Sequence, residues 1–500
     1  MNEQKLVELI SKKSHIFIYG AGMVGSLVLT RLKALGIDEA FIDFVVSKAA
    51  ARQEYLGHKV YELGGCNFDD QSLIIVATMP KNQGQIIENL HKHNITEFIA
   101  VDDELYEDME RAYIVSFMET HENSIVGDRD ILFMSSDNNY TSGAFLCLVD
   151  LCMEMMSRGI KPLVVLPCYG NAEQLLGDKH IDFTYIQSGS GLAEDESYRD
   201  KELMNEDAVK KVESLIKKHH IKLVHNNTNH TYVGALTAQK LGIPYIWHVR
   251  ENIAEQGLHF IDEDRSYSII NGASRIITVS DYVGNCYPRL DKQKVVCISD
   301  GVESSKYYCE RDILQGDVVK ILMPGIMVPL KGQHQLVEAA RRLKKSGQDF
   351  AISFVGSGDA DYIKKLEDMV EQYGLNDVIS FYGRVNNLEE WYKDSDIVVV
   401  CSRSEAFGRV TVEAQLAGCV VVGANCGATP ELVSDGATGY LYELDNADML
   451  ADRIMEACSD REHANVIAKS GQKNAHEKYD KSLNCKNVIK EYKKILGDKI

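Results

Sequence analysis

Two glutamates, Glu405 and Glu413, lie in the stretch SEAFGRVTVEA with seven residues between them. From Val410 onward the apolar residues follow a helical spacing, so the pattern predicts that Ala406–Arg409 form the first turn of a helix. That turn offers free backbone N–H groups and the positive end of a helix dipole, both of which suit a phosphate. Gly408 has no side chain, so a ligand can come close to the backbone there.

The two carboxylates are about two helical turns apart and lie on one face of the predicted helix. They can therefore hold two hydroxyl-bearing parts of an elongated ligand, with a phosphate between them. An ordinary capped helix with a glutamate in its first turn explains the spacing equally well, because acidic first turns are common.

The elements around this helix have their own signals. Asp396–Cys401 reads DIVVVC, and such β-branched runs are typical of buried parallel strands. Gly423–Pro430 (GANCGATP) and Asp435–Gly439 (DGATG) predict two glycine-rich turns after the helix. The ordered series SEAFGRVTVEA and GATPELVSDGATGYLY resembles the retaining, nucleotide-sugar-dependent glycosyltransferases of family four, which have the GT-B fold.

The resemblance implies a role for each residue of the motif. Glu413 would bind the ribose hydroxyls of a nucleoside-diphosphate sugar, and Glu405 would contact the sugar. Phe407 and Gly408 would border the diphosphate through their backbone amides. The implied enzyme is metal-independent, and its nucleotide sugar is a co-substrate, so no cofactor is expected in this part of the chain.

The loop after the strand VVKILMPG departs from the family pattern. Members of the family have an Arg directly after the residue that corresponds to Gly325, and a Lys-Gly pair five residues further on. Lys331 is kept here, but Ile326 occupies the Arg position, which predicts a weaker grip on the diphosphate. We expect Arg409 to compensate from the start of the helix.

His248 and Arg250 are predicted to lie just beyond the strand within IPYIWHVRE. Ligands of α/β sheets bind at that edge, and the resembled family often has a His there that faces the acceptor and the donor sugar. We therefore predict His248, Glu405 and Lys331 as catalytic residues. An ion pair between Arg250 and the next glutamate, which would only hold the loop, is the alternative.

Other strand ends complete the predicted donor site. Gly143 matches the position of a family loop that approaches the phosphates, although it could equally be a simple helix start. Gly356 and Arg384 follow strands where the family seats the nucleotide base, and a surface ion pair is an equal explanation of Arg384. The predicted donor-binding residues are Gly143, Gly325, Lys331, Gly356, Arg384, Glu405, Ala406, Phe407, Gly408, Arg409, Val410 and Glu413.

Near the N-terminus, Gly20, Gly22 and Gly25 follow a short strand with the spacing of a dinucleotide-binding turn. The acid that such sites have at the end of the second strand is missing, because Ser47 and Lys48 stand there. The unit is similar to N-terminal domains of some bacterial sugar-modifying enzymes. A scaffold that kept only the turn is the favoured interpretation, and a site for NAD or another nucleotide is the alternative.

Composition limits the class of protein. The chain is 45% hydrophobic and 26% charged, which is ordinary for a globular protein, and its formal net charge of −20 argues against general nucleic-acid binding. Twelve cysteines without a C-x-x-C pair favour reduced thiols in a cytosolic protein. No signal-peptide core and no apolar stretch of about 20 residues is found. Two D-x-D triplets, at Asp128 and Asp262, are best explained as solvated turns, and no metal is predicted.

The sequence thus predicts an α/β fold, with two Rossmann-like domains of a GT-B glycosyltransferase preceded by a third, small Rossmann-like domain. The predicted domains are 1–115, with the glycine turn, 128–308, for the acceptor, 309–480, for the donor, and a helix at 481–500 that crosses back.

The predicted function is sugar transfer from a nucleoside-diphosphate sugar to a hydroxyl acceptor in the synthesis of a cell-surface polysaccharide or glycan. The acceptor would be a saccharide or a lipid-linked saccharide, and the protein would be cytoplasmic. The lysines of residues 206–220 are best explained as a solvated helix face, and a peripheral contact with the inner face of a membrane is the alternative. A regulatory nucleotide-sugar-binding protein and an NAD-dependent sugar-modifying enzyme are the other candidate functions.

Overall fold

The computed structural model describes residues 3–47, 54–66, 68–121, 124–140, 142–193 and 198–499, so Lys48 lies outside the described residues. The chain divides into two compact units. The first unit consists of Met1–Gly127, Asp137–Tyr140 and Val164–Gln187, and the second consists of Asp128–Ser136, Thr141–Leu163 and Ser188–Ile500. The domain boundaries given above are drawn differently from these units and stay a prediction.

The N-terminal stretch alternates strands and helices, because short β-branched runs such as HIFIY and SLIIV alternate with amphipathic segments. Its elements are α1 (Glu3–Ile10), β1 (His15–Tyr19), α2 (Met23–Ala34), β2 (Ile42–Val46), β3 (Glu54–Tyr55), β4 (His58–Glu62), β5 (Ser72–Val76), α3 (Gln83–Lys92), β6 (Ile99–Ala100) and α4 (Asp103–His121). The sheet has the order β3-β4-β2-β1-β5-β6, and its described pairs are parallel except for the β3–β4 hairpin.

The middle stretch continues the alternation. Its elements are β7 (Ile131–Met134), α5 (Gly143–Ser157), β8 (Pro162–Leu166), α6 (Ala172–Asp178), β9 (Phe183–Tyr185), β10 (Leu192–Ala193), α7 (Tyr198–Lys218), β11 (Leu223–Asn226), α8 (Val233–Leu241), β12 (Tyr245–Val249), β13 (His259–Phe260), α9 (Glu263–Asn271), β14 (Arg275–Thr278), α10 (Asp281–Cys286), β15 (Val295–Cys297) and α11 (Ser304–Tyr307). In the second unit, β15, β14, β12, β11 and β7 are successive neighbours in one parallel sheet.

The C-terminal stretch of the second unit forms another sheet. Its elements are β16 (Val319–Pro324), α12 (Gln333–Ser346), β17 (Phe350–Val355), α13 (Ala360–Gln372), β18 (Ile379–Tyr382), α14 (Leu388–Asp394), β19 (Ile397–Val400), α15 (Arg409–Leu416), β20 (Val420–Ala424), α16 (Thr429–Leu432), β21 (Tyr440–Tyr442), α17 (Ala447–Ser459), α18 (Arg461–Tyr479) and α19 (Lys481–Leu496). The strands are parallel in the order β18-β17-β16-β19-β20-β21. The predicted α/β class with parallel sheets is confirmed.

Strand β19 shows why this sheet forms. All four residues of its IVVV run are buried, which matches the near-continuous apolar runs of strands that are covered on both faces. Because β19 pairs with β16, the loops that follow these two strands meet at one edge of the sheet. That edge carries Lys331 and Glu405.

The last helix, α19, packs on α5. Its buried side includes Val488, Ile489 and Tyr492, and Lys481 near its start forms an ion pair of 3.1 Å with Asp150 of α5. The C-terminal helix therefore packs on the part of the second unit that contains β12, although it follows the sheet β16–β21 in the sequence.

Candidate functional site

Two glycines shape the edge of the sheet where β16 and β17 end. Gly325 has a φ of +132° and Gly356 a φ of +150°, a region that side chains disfavour. A Cβ atom on Gly356 would lie 2.0 Å from the carbonyl oxygen of Gly325. The two loops can approach each other this closely only because glycine stands at position 356.

Lys331 reaches the same edge from a short turn. The turn ends at Gly332, whose φ is +72° and whose missing side chain lets the loop lie against the carbonyl oxygen of Cys401. The Lys331 Nζ atom donates to the Glu405 Oε1 atom over 2.6 Å, and both side chains are partly exposed. The structure thus brings together two of the three predicted catalytic residues.

A small cavity opens beside this ion pair. Its wall consists of Met323, Pro324, Gly325, Lys331, Val399, Val400, Ser402, Glu405 and Val410. An ammonium group and a carboxylate therefore face a cleft with apolar sides, where a charged ligand meets fewer competing water molecules than at the open surface. Such a cavity can bind a group with both a negative charge and hydroxyls.

The glycine-rich turn after β20 supports the backbone of Glu405. Gly427 has a φ of +59°, and a Cβ atom there would lie 2.7 Å from the Glu405 backbone nitrogen. The Ala428 N–H donates to the Glu405 carbonyl oxygen over 2.9 Å. The GATP motif thus positions the carboxylate through the main chain, a role that the sequence analysis did not assign.

The prediction that Ala406–Arg409 form the first turn of the helix is wrong, because the helix begins later. Helix α15 begins at Arg409, because Gly408 adopts a φ of +100° and lies outside the helix as its N-cap. Phe407 is only 4% exposed, and its ring contacts the ring of Tyr479 at a centroid distance of 5.7 Å. The Phe407 side chain therefore packs in the core, and the role of its backbone amide stays a prediction.

The Ala406 carbonyl accepts a hydrogen bond from the Ser280 hydroxyl, which lies at the start of α10. Glu431 contacts the same helix start, since its two carboxylate oxygens accept from the backbone N–H groups of Asp281 (3.0 Å) and Tyr282 (2.6 Å). These contacts join the loop after β19 and the start of α16 to the sheet that contains β12. Sequence reasoning missed them, because no local pattern links Glu431 to a segment about 150 residues away.

Arg409 lies between the two sheets of the second unit. Its guanidinium donates to the Gly301 carbonyl oxygen over 2.8 Å, and its chain passes so close to Gly143 that a Cβ atom there would lie 3.0 Å from the Arg409 Cδ atom. Arg409 and Gly143, both predicted to face the donor phosphates, are therefore neighbours. In this arrangement the guanidinium contacts protein, and its compensation for Ile326 stays a prediction.

Glu413 is 7% exposed and accepts a hydrogen bond of 3.0 Å from the Tyr392 hydroxyl. Its second oxygen lies 3.6 Å from the Arg409 guanidinium. Burial raises the pKa of this carboxyl, and the neighbouring Arg409 charge opposes the shift. The predicted contact with ribose hydroxyls would have to form at a carboxylate that already has protein partners.

His248 lies inside β12 rather than beyond it, which corrects the predicted placement. The side chain is 0% exposed, since in-strand residues alternate between the two covered faces of a parallel sheet. Arg250 is the residue that directly follows β12. Its guanidinium forms an ion pair with Asp300. Glu251 accepts a hydrogen bond of 2.8 Å from the backbone N–H of Asn229.

Of three further residues near the predicted donor site, two are exposed and one is partly buried. The Ile326 residue is 53% exposed, so nothing in its packing requires an apolar side chain there. Arg384, which follows β18, is also exposed. Val410 is partly buried and borders the cavity beside Lys331.

The N-terminal glycine turn has the geometry that its motif predicts. Gly20 has a φ of +127°, and a Cβ atom on Gly25 would lie 2.0 Å from the Gly20 carbonyl oxygen, so the strand and α2 pack closely. No described atom approaches the Cβ position of Gly22 within 4 Å. At the end of β2, the Ser47 hydroxyl bonds with the Tyr19 hydroxyl over 2.8 Å. Nucleotide binding at this turn stays a prediction.

The D-x-D triplets have ordinary partners. Asp130 pairs with Lys222 at 2.6 Å, and the Asp262 carboxylate caps α9 by accepting from the Arg265 backbone N–H. Within the described residues, no three His, Cys, Asp or Glu side chains are grouped so that they could hold a metal ion. Among the helices of the described chain, none combines the length and apolarity needed to cross a membrane.

Comparisons with known proteins agree with this architecture. The family described as "Glycosyl transferases group 1" matches residues 311–474, and "Glycosyltransferase Family 4" matches residues 141–306. Together these two matches span about two thirds of the chain.

Individual relatives are distant. An uncharacterised glycosyltransferase of Methanocaldococcus jannaschii is 30% identical over 248 residues, which are 48% of this chain and 66% of that protein. Spore coat protein SA of Bacillus subtilis is 23% identical over 304 residues, 56% of this chain and 80% of that protein. The chain thus spans just under two thirds of the first relative and more of the second.

Among solved structures, HepE from Anabaena, crystallised in complex with UDP, superposes with a TM-score of 0.63 and 23% identity. The match covers 73% of this chain and all of that one, and it shows a shared GT-B fold. The two family matches and this fold agree with the spacing of Glu405 and Glu413 and with the glycine-rich turns that follow them. The chain belongs to the group 1 glycosyltransferases of family four.

Proposed function

We propose that this protein is a retaining glycosyltransferase that moves one sugar from a nucleoside-diphosphate sugar to a hydroxyl group of a saccharide or lipid-linked saccharide. The observation that carries the proposal is the Lys331–Glu405 ion pair of 2.6 Å beside the cavity at the ends of β16 and β19. An ammonium group suits the diphosphate, and a carboxylate suits the sugar hydroxyls. HepE, the neighbour described above, was crystallised with UDP, which supports a nucleotide donor.

The proposed reaction breaks the bond between the anomeric carbon of the sugar and the diphosphate oxygen, and it forms a bond from that carbon to the acceptor oxygen. The acceptor hydroxyl loses its proton to an oxygen of the departing diphosphate. Charge therefore builds up on the diphosphate, and Lys331 would stabilise it in the transition state. Glu405 would orient the sugar so that the acceptor reaches the correct face.

The exposed Ile326 favours a second candidate, a protein that binds nucleotide sugars and transfers sugar weakly or not at all. A single ammonium group holds a diphosphate with less directional strength than an ammonium and a guanidinium together. The presence of both Glu405 and Glu413, the two carboxylates of the family motif, supports the transferase.

A donor screen tests the proposal. Purified protein is incubated with UDP-, GDP-, dTDP- and ADP-sugars, and released nucleoside diphosphate is measured with and without mixed saccharide acceptors. We expect one donor to be consumed, faster with an acceptor, and the anomeric configuration of the product to match that of the donor by NMR. Binding without release would favour the second candidate, and an inverted product would contradict the retaining mechanism.

A further inference from the structure

Four buried side chains form a continuous hydrogen-bonded chain from α19 to the end of β12. The Tyr492 hydroxyl lies 2.6 Å from the His225 Nδ1 atom, and the His225 Nε2 atom lies 3.2 Å from the His248 Nδ1 atom. The Nη2 atom of Arg250 lies 3.3 Å from that same His248 Nδ1 atom. Tyr492, His225 and His248 are all 0% exposed.

The direction of every bond in this chain follows from Arg250. A guanidinium can only donate, so the His248 Nδ1 atom must be an acceptor without a proton. The His225 Nε2 atom faces the same acceptor and must therefore carry a proton, so the two donors share the single lone pair of His248 Nδ1. His225 Nδ1 is then an acceptor, and the Tyr492 hydroxyl must donate to it.

The same logic fixes the charge and the tautomer of His248. Burial, with the Arg250 charge nearby, lowers the pKa values of both histidines well below the ordinary value, so both rings are neutral. A neutral His248 with an unprotonated Nδ1 atom carries its proton on Nε2. No described residue accepts a hydrogen bond from that buried Nε2 atom.

The Arg250 end of this hydrogen-bonded series lies near the contact between the two sheets of the second unit. Arg250 also donates to the Asn227 carbonyl oxygen over 3.1 Å and forms an ion pair with Asp300. The next residue, Gly301, accepts the 2.8 Å hydrogen bond from Arg409. The hydrogen-bonded series therefore connects α19 to Arg250 and, through the segment Asp300–Gly301, to Arg409 at the edge of the proposed site.

We propose that Tyr492 and His225 are positioning residues for sugar transfer, a claim that rests on the proposed function. They hold His248 as a neutral ring with Nε2–H as its free donor, and they hold the Arg250 guanidinium against Asp300. A buried N–H group without an acceptor is costly, and the proposal assigns to His248 Nε2–H a hydroxyl oxygen of the bound substrate as its acceptor. The C-terminal helix thus contributes to the reaction without touching the substrate.

Nitrogen-15 NMR of histidine-labelled protein tests the tautomer without any substrate. The chain has 15 histidines, and the spectrum of His248→Gln identifies the signals of His248. We expect the pattern of a neutral Nε2–H ring that does not titrate between pH 5 and 8. A neutral Nδ1–H pattern, or titration in that range, would overturn the proposal whether or not the protein transfers sugar.

Kinetics test the positioning role. His225→Leu removes the donor to His248 Nδ1, and we expect kcat to fall about tenfold or more while the donor KM changes little. His225→Gln keeps an amide N–H that can donate, so it should recover most of kcat. Tyr492→Phe should give an intermediate loss, because it removes only the support of His225.

Tyr442→Phe is the matched control. Tyr442, in β21 of the other sheet of the second unit, is equally buried, and its hydroxyl donates a hydrogen bond of 3.0 Å to Gln335 of α12. We expect Tyr442→Phe to lower thermal stability like Tyr492→Phe but to leave kcat and the histidine spectrum unchanged. Wild-type kcat in both His225→Leu and Tyr492→Phe would overturn the positioning role and leave the transferase intact.

Discussion

Lys331 and Glu405 form a 2.6 Å ion pair between the loops after β16 and β19, although they are 74 residues apart in the chain. A donor diphosphate that binds the Lys331 ammonium must therefore compete with a carboxylate that is already in place. The pair holds the ammonium against Glu405. In the proposed function, a bound phosphate would replace Glu405 as the partner of Lys331, and Glu405 would then be available to the sugar hydroxyls. Affinity and turnover are thus expected to respond differently to the two residues.

Glu405→Gln should separate binding from catalysis. The amide no longer competes for Lys331 and no longer repels a phosphate, so we expect the affinity for the nucleoside diphosphate to be equal to that of the wild type or higher. We expect kcat to fall about 100-fold, because the group that orients the sugar is weakened. Calorimetry with the nucleoside diphosphate and a product-release assay measure the two effects. Weaker diphosphate binding combined with normal kcat would contradict this assignment.

Ile326→Arg should strengthen donor binding. The 53% exposed side chain makes room for a guanidinium at the sheet edge without loss of packing, and an added charge-assisted hydrogen bond to the diphosphate corresponds to about tenfold tighter binding. Val318→Arg is the control, because Val318 is 47% exposed and precedes β16 at the opposite end of the strand. An equal change in dissociation constant for both variants would indicate a general charge effect and contradict the prediction.

Gly356→Ala should damage the fold far more than Gly347→Ala. Both glycines have a positive φ, but the new Cβ atom meets a carbonyl oxygen at 2.0 Å in the first case and no atom within 4 Å in the second. We expect Gly347→Ala to cost about 1 kcal/mol. Gly356→Ala should lower Tm by several times as much, or prevent folding. Melting curves of both variants check this, and equal Tm values would disprove the close contact.

The buried histidine pair predicts a pH dependence of stability. The folded-state pKa values of His225 and His248 lie well below the ordinary value of about 6.5, so their favourable contribution is present above that pH and is lost as the pH falls below it. Each of these histidines then lowers the free energy of unfolding by up to about 1.4 kcal/mol for each pH unit of acidification.

His225→Gln removes one of these two titrations. We expect the variant to be less stable than the wild type at pH 7 and the difference in Tm to shrink at pH 5, because only the wild type must keep the His225 ring neutral against acid. Thermal melts at half-unit pH steps measure this difference. A Tm difference that is constant from pH 7 to pH 5 would show that His225 titrates normally in the folded protein.

The elements with strong local signals could be predicted from sequence. The IVVV run gives β19, and the glycine spacing at Gly20–Gly25 gives a tight strand–helix turn. The start of α15 could not be placed, because the apolar spacing does not reveal that Gly408 takes a φ of +100°. The helix therefore begins one turn later than its pattern suggests.

Contacts between distant segments had no local signal at all. The pairing of Lys331 with Glu405 depends on β16 and β19 being neighbours, which an alternating sequence pattern does not specify. The bond between Tyr492 and His225 joins residues 267 positions apart. The sequence pattern predicts His248 beyond the end of a strand, whereas β12 extends past His248 and buries it among polar partners.

Titration calorimetry of a nucleoside diphosphate with the wild type and Lys331→Ala tests the central claim most directly. Lys320→Ala is the control, because Lys320 forms an equally short ion pair, 2.6 Å from Asp394, on the exposed surface of the same sheet. We expect at least about tenfold weaker binding for Lys331→Ala and no change for Lys320→Ala. Unchanged affinity in Lys331→Ala would contradict the central claim and place the donor elsewhere.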